Sequence, residues 1–287
     1  MKFTNKYNLD QWICDFLAED NYDFQPGTIS ATTLIGPARA WALKQLHPDD
    51  LVADYSDFIK TKNGDSIHAG IERSKVAEKL GGFQERRFYA ELNGFHISGK
   101  MDMVLDNEIH DFKSTGTWKY VKKDFDDYFK QLSIYRWLLA KNGIQVSDYG
   151  NIHMFLNDWK RADSLRNSDY PPIPYVKLRI RLMSVAEAEE YIASRVMEFA
   201  FALGSLPECT PEELWQTETT WAVYRKAGQV RAFRVLNTEE DANRLAAEIG
   251  GVVVKRPGVV KRCGYCSARF VCEQYNHLKE AGLIDGD

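Results

Sequence analysis

Two strand-like segments joined by a two-residue turn place the strongest constraint on the fold of this chain. The strands are predicted at residues 87–105 and 108–114, with Asp106-Asn107 as the turn. Successive side chains of a strand point to opposite faces, so Asp111 and Lys113 share one face of the second strand. A hairpin would bring Asp102 of the first strand beside them. The sequence therefore predicts two carboxylates and an amine on one face of a sheet.

A pair of neighbouring carboxylates needs a compensating cation. Two carboxylates repel each other when they are partly buried, and hard oxygen ligands favour Mg²⁺ or Mn²⁺. Asp102 and Asp111 are then metal ligands, and the backbone carbonyl of Phe112 is a further candidate. Lys113 would orient an attacking water or help to remove its proton. The alternative is an exposed hairpin in which these side chains form only solvated cross-strand pairs.

The length and composition fit one large domain or a core domain with a small appendage. The chain has 287 residues, of which 44% are hydrophobic. Its character changes beyond Pro207, so we expect a core at 1–206 and a C-terminal module at 207–287. Helices are predicted at 9–17, from Ser30 or Thr32 through Leu43, from Gly64 through Leu80, at 124–141, from Ser184 to Leu203 and from Thr238 to Ile249. Further strands are predicted at 151–156, 175–183, 220–225, 230–236 and 251–255.

The overall charge gives no support for nucleic-acid binding. The formal net charge is -4 at pH 7 and the isoelectric point is near 5.9, but a local basic surface is sufficient for binding a duplex. The chain has no apolar run long enough to span a membrane, and its N-terminus lacks the apolar core of a secretory signal. We therefore expect a cytoplasmic protein without membrane contact.

Four short motifs follow one another within residues 28–140. They are His68 in a predicted helix, Gly99-Lys100-Met101-Asp102, Asp111-Phe112-Lys113 and Gln131-Leu132-Ser133-Ile134-Tyr135. Their order resembles the RecB-like branch of the PD-(D/E)XK nucleases, which also includes CRISPR-associated and phage recombination exonucleases. No single motif is specific, but four motifs in this order with compatible spacing are.

The resemblance implies an α/β fold, a restriction-endonuclease-like core with a mixed central sheet flanked by helices, together with a small C-terminal α+β module held by a metal. The metal ligands that it implies are His68, Asp102, Asp111 and Phe112. The full catalytic set is Asp102, Asp111, Lys113, His68, Gln131 and Tyr135. Without the resemblance, His68 and Tyr135 would be read as core residues. With it, Gln131 and Tyr135, which are neighbours on one helical face, would line a cleft that faces the DNA.

Two acidic residues near these motifs allow two interpretations each. Glu72 lies one helical turn after His68 and is either a support for the metal ligands or a solvated helix carboxylate, the commoner case. Glu85 precedes the strand pair at a position where relatives often carry an acidic residue. Both a site role and a surface role stay open for it.

The implied activity is hydrolysis of phosphodiester bonds in DNA that depends on Mg²⁺ or Mn²⁺. An exonuclease that acts on DNA ends in recombination or repair is favoured by analogy with the family. A recombinase, a helicase or a single-strand-binding protein is an implied partner. Two alternatives stay open: a non-catalytic DNA-binding or assembly subunit, and a structure-specific or RNA-processing endonuclease. The intact Asp102, Asp111 and Lys113 argue against the first alternative.

Three cysteines near the C-terminus form a metal-binding pattern. Cys263, Cys266 and Cys272 have the spacing Cys-x2-Cys-x5-Cys. In a reducing compartment such a group indicates metal binding before disulfide formation. Zn²⁺ and a [4Fe-4S] cluster are both compatible with thiolate ligands, and either would have a structural role.

The fourth ligand of this site is not evident from the pattern. Iron–sulfur members of the RecB-like branch have the same cysteine ending and one more cysteine upstream of the helical histidine, where this chain has Gly36-Pro37. The fourth ligand is therefore Cys209, Cys14 or absent. Cys209 is preferred because it lies where the C-terminal insert begins.

Basic side chains flank both candidate sites. The candidates for phosphate contacts are Lys119, Lys122, Lys255, Arg256, Lys261, Arg262 and Arg269. The group beyond residue 250 is uninterrupted by acidic residues. A solvated charge run is the alternative for Lys122, because three aspartates follow it closely.

Overall fold

The computed structural model describes residues 1–19 and 25–284. The chain forms two compact units, which we call the sheet unit and the cysteine unit. The sheet unit comprises Thr4–Trp41 and Asp54–Ser205, and the cysteine unit comprises Met1–Phe3, Ala42–Ala53 and Leu206–Asp287. The cysteine unit thus includes Ala42–Ala53, a segment that the division into 1–206 and 207–287 leaves in the core.

The strands of the described residues are β1 Lys2–Thr4, β2 Thr28–Ser30, β3 Val52–Asp54, β4 Phe83–Leu92, β5 Phe95–Leu105, β6 Glu108–Thr115, β7 Tyr149–Leu156, β8 Tyr175–Arg181, β9 Thr220–Tyr224, β10 Arg234–Leu236 and β11 Val252–Arg256. The α-helices are α1 Gln11–Ala18, α2 Ala31–Leu34, α3 Ala38–Leu46, α4 Ile59–Ser74, α5 Val76–Lys79, α6 Thr117–Val121, α7 Asp126–Lys141, α8 Arg161–Ser164, α9 Val185–Ser205, α10 Glu239–Ile249 and α11 Glu273–Glu280. Short 3-10 helices cover Tyr55–Phe58, Arg262–Tyr265 and Arg269–Val271. None of the helices in this part of the chain combines the length and the hydropathy needed to cross a bilayer.

The sheet unit is built on a mixed sheet in which β5 pairs with three other strands. The order β2-β5-β6-β7-β8 contains parallel pairs (β2 with β5, β6 with β7) and antiparallel pairs (β5 with β6, β7 with β8). Ile97 pairs with both β2 and β4, and Val104 pairs with both β4 and β6. Since β4 fills one edge of β5, β2 and β6 share the other edge. On this edge, β2 pairs with one end of β5 and β6 pairs with the other end. Between these two short ladders β5 and β6 are apart, and Asp102 lies in this gap.

The single strand predicted at 87–105 is wrong, because this region forms two antiparallel strands. Asn93 and Gly94 join β4 to β5, and both have positive φ angles, 51° and 79°. Two-residue hairpins need such angles, and Asn-Gly is the preferred sequence for them. The alternation of apolar side chains shifts by one position at the turn, from Phe88, Ala90 and Leu92 to Phe95, Ile97 and Met101, so this shift and the Asn-Gly pair are the available signals for it. The turn has a functional consequence, since it pairs β4 with the strand that carries Asp102.

Helix α7 packs closely against the sheet because two glycines leave room for it. A Cβ atom at Gly99 would lie 2.7 Å from Leu138 and 2.8 Å from Tyr135, and one at Gly150 would lie 2.6 Å from Leu132. These distances are too short for a side chain. The glycine of the Gly-x-x-Asp motif therefore lets the helix that carries Gln131 approach the strand that carries Asp102.

Most of the remaining predicted elements are confirmed within a few residues. The side chain of Ser30 accepts a hydrogen bond from Thr33 N, and Ser184 and Glu187 form the predicted reciprocal cap at the start of α9. The helix that carries His68 begins at Ile59 rather than at Gly64, and it ends where Lys75 adopts a left-handed backbone conformation.

The cysteine unit contains a small antiparallel sheet, β10-β9-β11, with α10 packed against it. Thr238 caps α10, as the sequence predicts. The strand predicted at 230–236 is shorter than expected, since only β10 pairs with β9. The cysteine-rich segment follows β11 as two short 3-10 turns and helix α11.

Candidate active site

The hairpin of β5 and β6 places Asp102, Asp111 and Lys113 together. The ladder between these strands ends at the pair Met103 and His110, one residue before the two aspartates. There the Oδ2 atom of Asp102 accepts a hydrogen bond of 2.7 Å from the backbone N–H of Phe112. Asp111 is fully buried, and its Oδ2 atom lies 2.9 Å from Nζ of Lys113. The three side chains therefore lie on one face, in the arrangement that the spacing predicts.

Two further side chains complete a compact group around Asp102. Nδ1 of His68 on α4 lies 3.5 Å from Oε1 of Glu85 and 3.5 Å from Oδ1 of Asp102. Among the described residues, these three side chains are the only group of at least three potential ligands whose atoms all lie within 4.8 Å of one another. Glu85 thus belongs to the site, whereas Glu72 is exposed.

The backbone of β4 is distorted at Glu85. Its neighbours Gln84 and Arg86 pair with Met103 and Met101, which places Glu85 opposite Asp102. Glu85 itself has a φ angle of +52°, which is uncommon for any residue other than glycine. Such strain occurs at functional sites that the surrounding structure holds in place. Here it accompanies a carboxylate that faces His68 and Asp102.

Burial and charge together set the protonation of this group. Burial and the neighbouring charge of Asp111 together raise the pKa of Asp102 to about 7. Burial also acts to raise the pKa of Glu85, but hydrogen bonds from His68 and Lys100 lower it overall. The same contact with Glu85 raises the pKa of His68. Nζ of Lys100 lies 2.7 Å from Oε2 of Glu85 and compensates part of this negative charge.

Gln131 connects Lys113 to Asp111. Its Oε1 atom accepts a hydrogen bond of 2.9 Å from Lys113 Nζ, and its Nε2 atom donates to Asp111 Oδ1 at 3.3 Å and to the Tyr135 hydroxyl at 2.8 Å. Both Gln131 and Tyr135 are buried. This differs from the expectation that they line an open cleft, because they lie beneath the charged groups and hold them in place.

Tyr128 is a residue of the site that the motifs did not indicate. The ammonium group of Lys113 lies 5.5 Å from the centre of its ring, and that of Lys119 lies 4.5 Å from the same ring. Burial acts to lower the pKa of Lys113, but Asp111 and Asp102 raise it above its usual value. Tyr128 precedes Gln131 by three residues on one helical face, and this spacing was the available signal.

The donor set fits a hard divalent cation. Oε1 of Glu85 and Oδ2 of Asp111 are buried and contact the cationic groups of His68 at 3.5 Å and of Lys113 at 2.9 Å. A carboxylate oxygen has two lone pairs, so each can also bind a metal ion. Carboxylates, a carbonyl and an imidazole suit Mg²⁺ or Mn²⁺. The residues that would hold the ion are His68, Glu85, Asp102, Asp111 and the carbonyl of Phe112. A bound ion would polarise a phosphoryl group and lower the pKa of a bound water.

The cysteine unit contains four of the five cysteines. Cys263, Cys266 and Cys272 belong to one apolar cluster, in which burial raises the pKa of Cys263 to about 11. Their sulfur atoms do not form a group within 4.8 Å among the described residues. The backbone of Cys209 exchanges two hydrogen bonds of 2.9 Å with the side chain of Gln274, two residues after Cys272. In the sheet unit, the thiol of Cys14 lies 3.7 Å from the Leu9 carbonyl.

The predicted phosphate-contacting residues differ in their availability. The exposed ones are Lys122, Lys255, Arg256 and Lys261, and Arg262 is half-buried beside the ring of Trp215. Lys119 contacts Asp127 at 3.0 Å. Arg269 is buried and donates hydrogen bonds to the carbonyls of Gly264 and Cys266. These contacts argue against a phosphate-binding role for Arg269, which instead supports the cysteine turn.

A mixed sheet that presents carboxylates and a lysine from adjacent strands defines a class of metal-dependent nucleases. The family model for the PD-(D/E)XK nuclease superfamily matches residues 38–273, and the chain belongs to this superfamily. The predicted family and core fold are thus confirmed. No curated protein matches the chain.

Solved structures of two exonucleases are similar to parts of this chain. An alkaline exonuclease from Laribacter hongkongensis is 13% identical, covers 63% of this chain and 91% of its own, and has a TM-score of 0.38. A phage-related exonuclease from Haemophilus somnus is 16% identical, covers 63% of this chain and 96% of its own, and has a TM-score of 0.40.

Proposed function

We propose that this protein hydrolyses phosphodiester bonds in DNA with Mg²⁺ or Mn²⁺ as cofactor. One observation carries the proposal: His68, Glu85, Asp102 and Asp111 converge from four elements, and the amine of Lys113 lies 2.9 Å from Asp111. In an exposed hairpin, the two carboxylates would be in contact with solvent. Here they are buried, and burial of negative charge that is not fully compensated by cations costs free energy. Membership of a nuclease superfamily supports the same conclusion.

The protonation of Lys113 decides between its two possible roles. Because its neighbouring aspartates raise its pKa, Lys113 is an ammonium ion at neutral pH. An ammonium group cannot accept a proton, so we propose that it orients the attacking water and stabilises the charge that develops on the phosphoryl oxygens. Gln131 holds this ammonium in position through its side-chain carbonyl.

We propose that the enzyme is an exonuclease acting on DNA ends in recombination or repair. The order of its motifs, which resembles the RecB-like branch, favours this activity. A recombinase, a helicase or a single-strand-binding protein would be its partner in such a pathway. A structure-specific endonuclease with the same site would cleave DNA that has no ends.

Cleavage of three substrates by wild type and Lys113→Ala tests these proposals. We expect wild type to degrade linear DNA in the presence of Mg²⁺ or Mn²⁺, to leave covalently closed circular DNA and RNA intact, and to stop on addition of EDTA. Lys113→Ala should lose the activity, whereas Lys130→Ala, which alters a neighbouring lysine paired with Asp126 on α7, should keep it. Cleavage of closed circles would contradict the exonuclease. No cleavage of any substrate at high protein concentration would favour a DNA-binding subunit.

We also propose that Cys209, Cys263, Cys266 and Cys272 hold a structural Zn²⁺ or [4Fe-4S] cluster. The proposal is supported by the clustering of three of these cysteines and by the two hydrogen bonds that hold Cys209 near α11. Metal analysis and the visible spectrum of freshly purified protein distinguish the two groups, since only the cluster is coloured. Cys209→Ser should lose the metal and Cys14→Ser should retain it. The reverse result would assign the fourth ligand to Cys14.

A further inference from the structure

Trp118 is exposed and lies shortly after β6, the strand that carries Lys113. It lies in the first turn of α6, five residues after Lys113, and 64% of its surface is accessible to solvent. A single exposed aromatic residue is common on protein surfaces and is not itself evidence of binding. Two other observations distinguish Trp118: the contacts that fix the residues on either side of it, and the position of its turn beside the site.

The residues on both sides of Trp118 are fixed by side-chain contacts. The backbone N–H and the hydroxyl of Thr117 both donate to Oδ1 of Asp158, at 2.6 and 2.7 Å. Gly116 permits this contact, since a Cβ atom there would lie 3.1 Å from the same carboxylate. On the other side, Nζ of Lys119 bonds to Asp127 at 3.0 Å. The indole is therefore held outward on a rigid turn.

The same turn adjoins the catalytic lysine. Lys119 and Lys113 place their ammonium groups against one ring, that of Tyr128, at 4.5 and 5.5 Å from its centre. The residue next to Trp118 thus neighbours the group that acts on the scissile phosphate. The turn that carries the indole therefore lies beside the proposed site.

A rigid, exposed indole beside a nuclease site suits one kind of ligand. Aromatic side chains stack on nucleic-acid bases without regard to sequence, because every base has a flat face. In a duplex those faces are already covered by neighbouring bases. We infer that Trp118 stacks on an unpaired base next to the scissile bond, so that the strand is cleaved in single-stranded or frayed form. This inference rests on the proposed nuclease function and specifies its substrate.

Binding measured without cleavage tests the inference separately from the nuclease activity. In a Lys113→Ala background with Mg²⁺, fluorescence anisotropy would compare a labelled single-stranded oligodeoxynucleotide with a duplex closed by hairpins at both ends. Trp118→Ala should weaken single-strand binding roughly tenfold and duplex binding much less, whereas Trp118→Phe should retain most of the affinity. Trp12→Ala is the matched control, because Trp12 on α1 is 68% exposed.

A second measurement does not depend on the folding of any variant. An oligonucleotide with 2-aminopurine as its terminal base should lose fluorescence on binding to the protein that retains Trp118, because stacking quenches this base. Unchanged single-strand affinity in Trp118→Ala, or an equal loss for both DNA forms, would overturn the inference. Neither result would affect the Lys113→Ala cleavage test, so failure of the stacking contact and failure of the nuclease proposal are distinguishable.

Discussion

The side-chain carbonyl of Gln131 accepts a hydrogen bond of 2.9 Å from the ammonium group of Lys113. The amide nitrogen of the same side chain donates to Asp111. One buried glutamine therefore contacts both the ammonium group of Lys113 and the carboxylate of Asp111. A carboxylate offers only acceptors and an ammonium group only donors, so neither can replace both contacts of the amide.

We expect Gln131→Leu to reduce the turnover of the enzyme without preventing its folding. Loss of the acceptor would release Lys113 from its position, and misplacement of a reacting group by about 1 Å can lower kcat roughly a hundredfold. Because Gln131 is a positioning residue, kcat should fall while KM changes little. Lys130→Ala on the same helix is the control. A kcat equal to that of wild type would show that Lys113 is held by other contacts.

Binding of the divalent ion should weaken as the pH falls. Burial raises the pKa of Asp102 to about 7 in the ion-free protein, so below this pH a proton must leave before the ion binds. Affinity should therefore decrease by about tenfold per pH unit below that value. Calorimetric titration of Mn²⁺ at about pH 6 and about pH 8 measures the effect.

In the ion-free protein, the titration of Asp102 should act in the opposite direction: the free energy of unfolding should fall as the pH rises. The folded pKa of Asp102 lies above its usual value of 3.8, so the folded state holds a proton that the unfolded state releases. This contribution to the free energy of unfolding is present below the usual pKa and is lost as the pH rises through about 7. Asp102→Asn should abolish both the loss of stability and the ion binding. A pH-independent affinity in wild type would contradict both expectations.

Tyr128→Leu should impair catalysis more than Tyr128→Phe. The ring of Tyr128 lies against the ammonium groups of two lysines, and a cation–π contact contributes about 1 kcal/mol. Phenylalanine keeps the ring and leucine removes it, so kcat should fall severalfold in the leucine variant alone. Thermal unfolding of both variants separates this effect from a loss of packing. Equal activity of the two variants at matched stability would exclude a role for the ring.

A half-buried histidine should make the sheet unit sensitive to mild acid. Burial, with the charges of His110 and Lys177, lowers the pKa of His153 to about 4, from a usual value of 6.5. The unfolded chain therefore takes up a proton that the folded chain excludes. Stability from this group is present above pH 6.5 and is lost as the pH falls through about 4.

Unfolding by urea at several pH values measures this dependence. His153→Gln keeps polar atoms for its neighbours His110 and Tyr175 but cannot titrate. The loss of stability between pH 6.5 and about 4 should be smaller in this variant than in wild type. His96→Gln, which alters an exposed histidine, is the control. An unchanged slope in His153→Gln would assign the acid sensitivity to other groups.

The order of the local motifs was sufficient to predict the core of the site. Asp102, Asp111 and Lys113 are close in sequence, and a two-residue turn with the period of a strand determines their arrangement. Glu85 could not be placed in the same way. Its position depends on the pairing of β4 with β5 across the Asn93-Gly94 turn and on the left-handed backbone at Glu85 itself.

Charge patterns in the sequence did not indicate which basic residues are available. Lys119 and Arg269 occur in basic runs, but Lys119 pairs with Asp127 and Arg269 donates to the backbone carbonyls of Gly264 and Cys266. A charged side chain is removed from the surface by its tertiary contacts, and these follow from packing rather than from composition. The role of Tyr128 also follows from packing, because a hydrophobic pattern cannot distinguish this residue from a core residue.

The left-handed backbone at Glu85 lowers the stability of the folded protein, although the same residue contributes a carboxylate to the site. A side chain in that conformation costs roughly 1 kcal/mol or more, and glycine or asparagine relieves it. A screen for heat-resistant variants that ignores DNA cleavage should therefore return Glu85→Gly or Glu85→Asn. Such proteins would outlast the parent at high temperature and would have lost a carboxylate from the group that surrounds the cation.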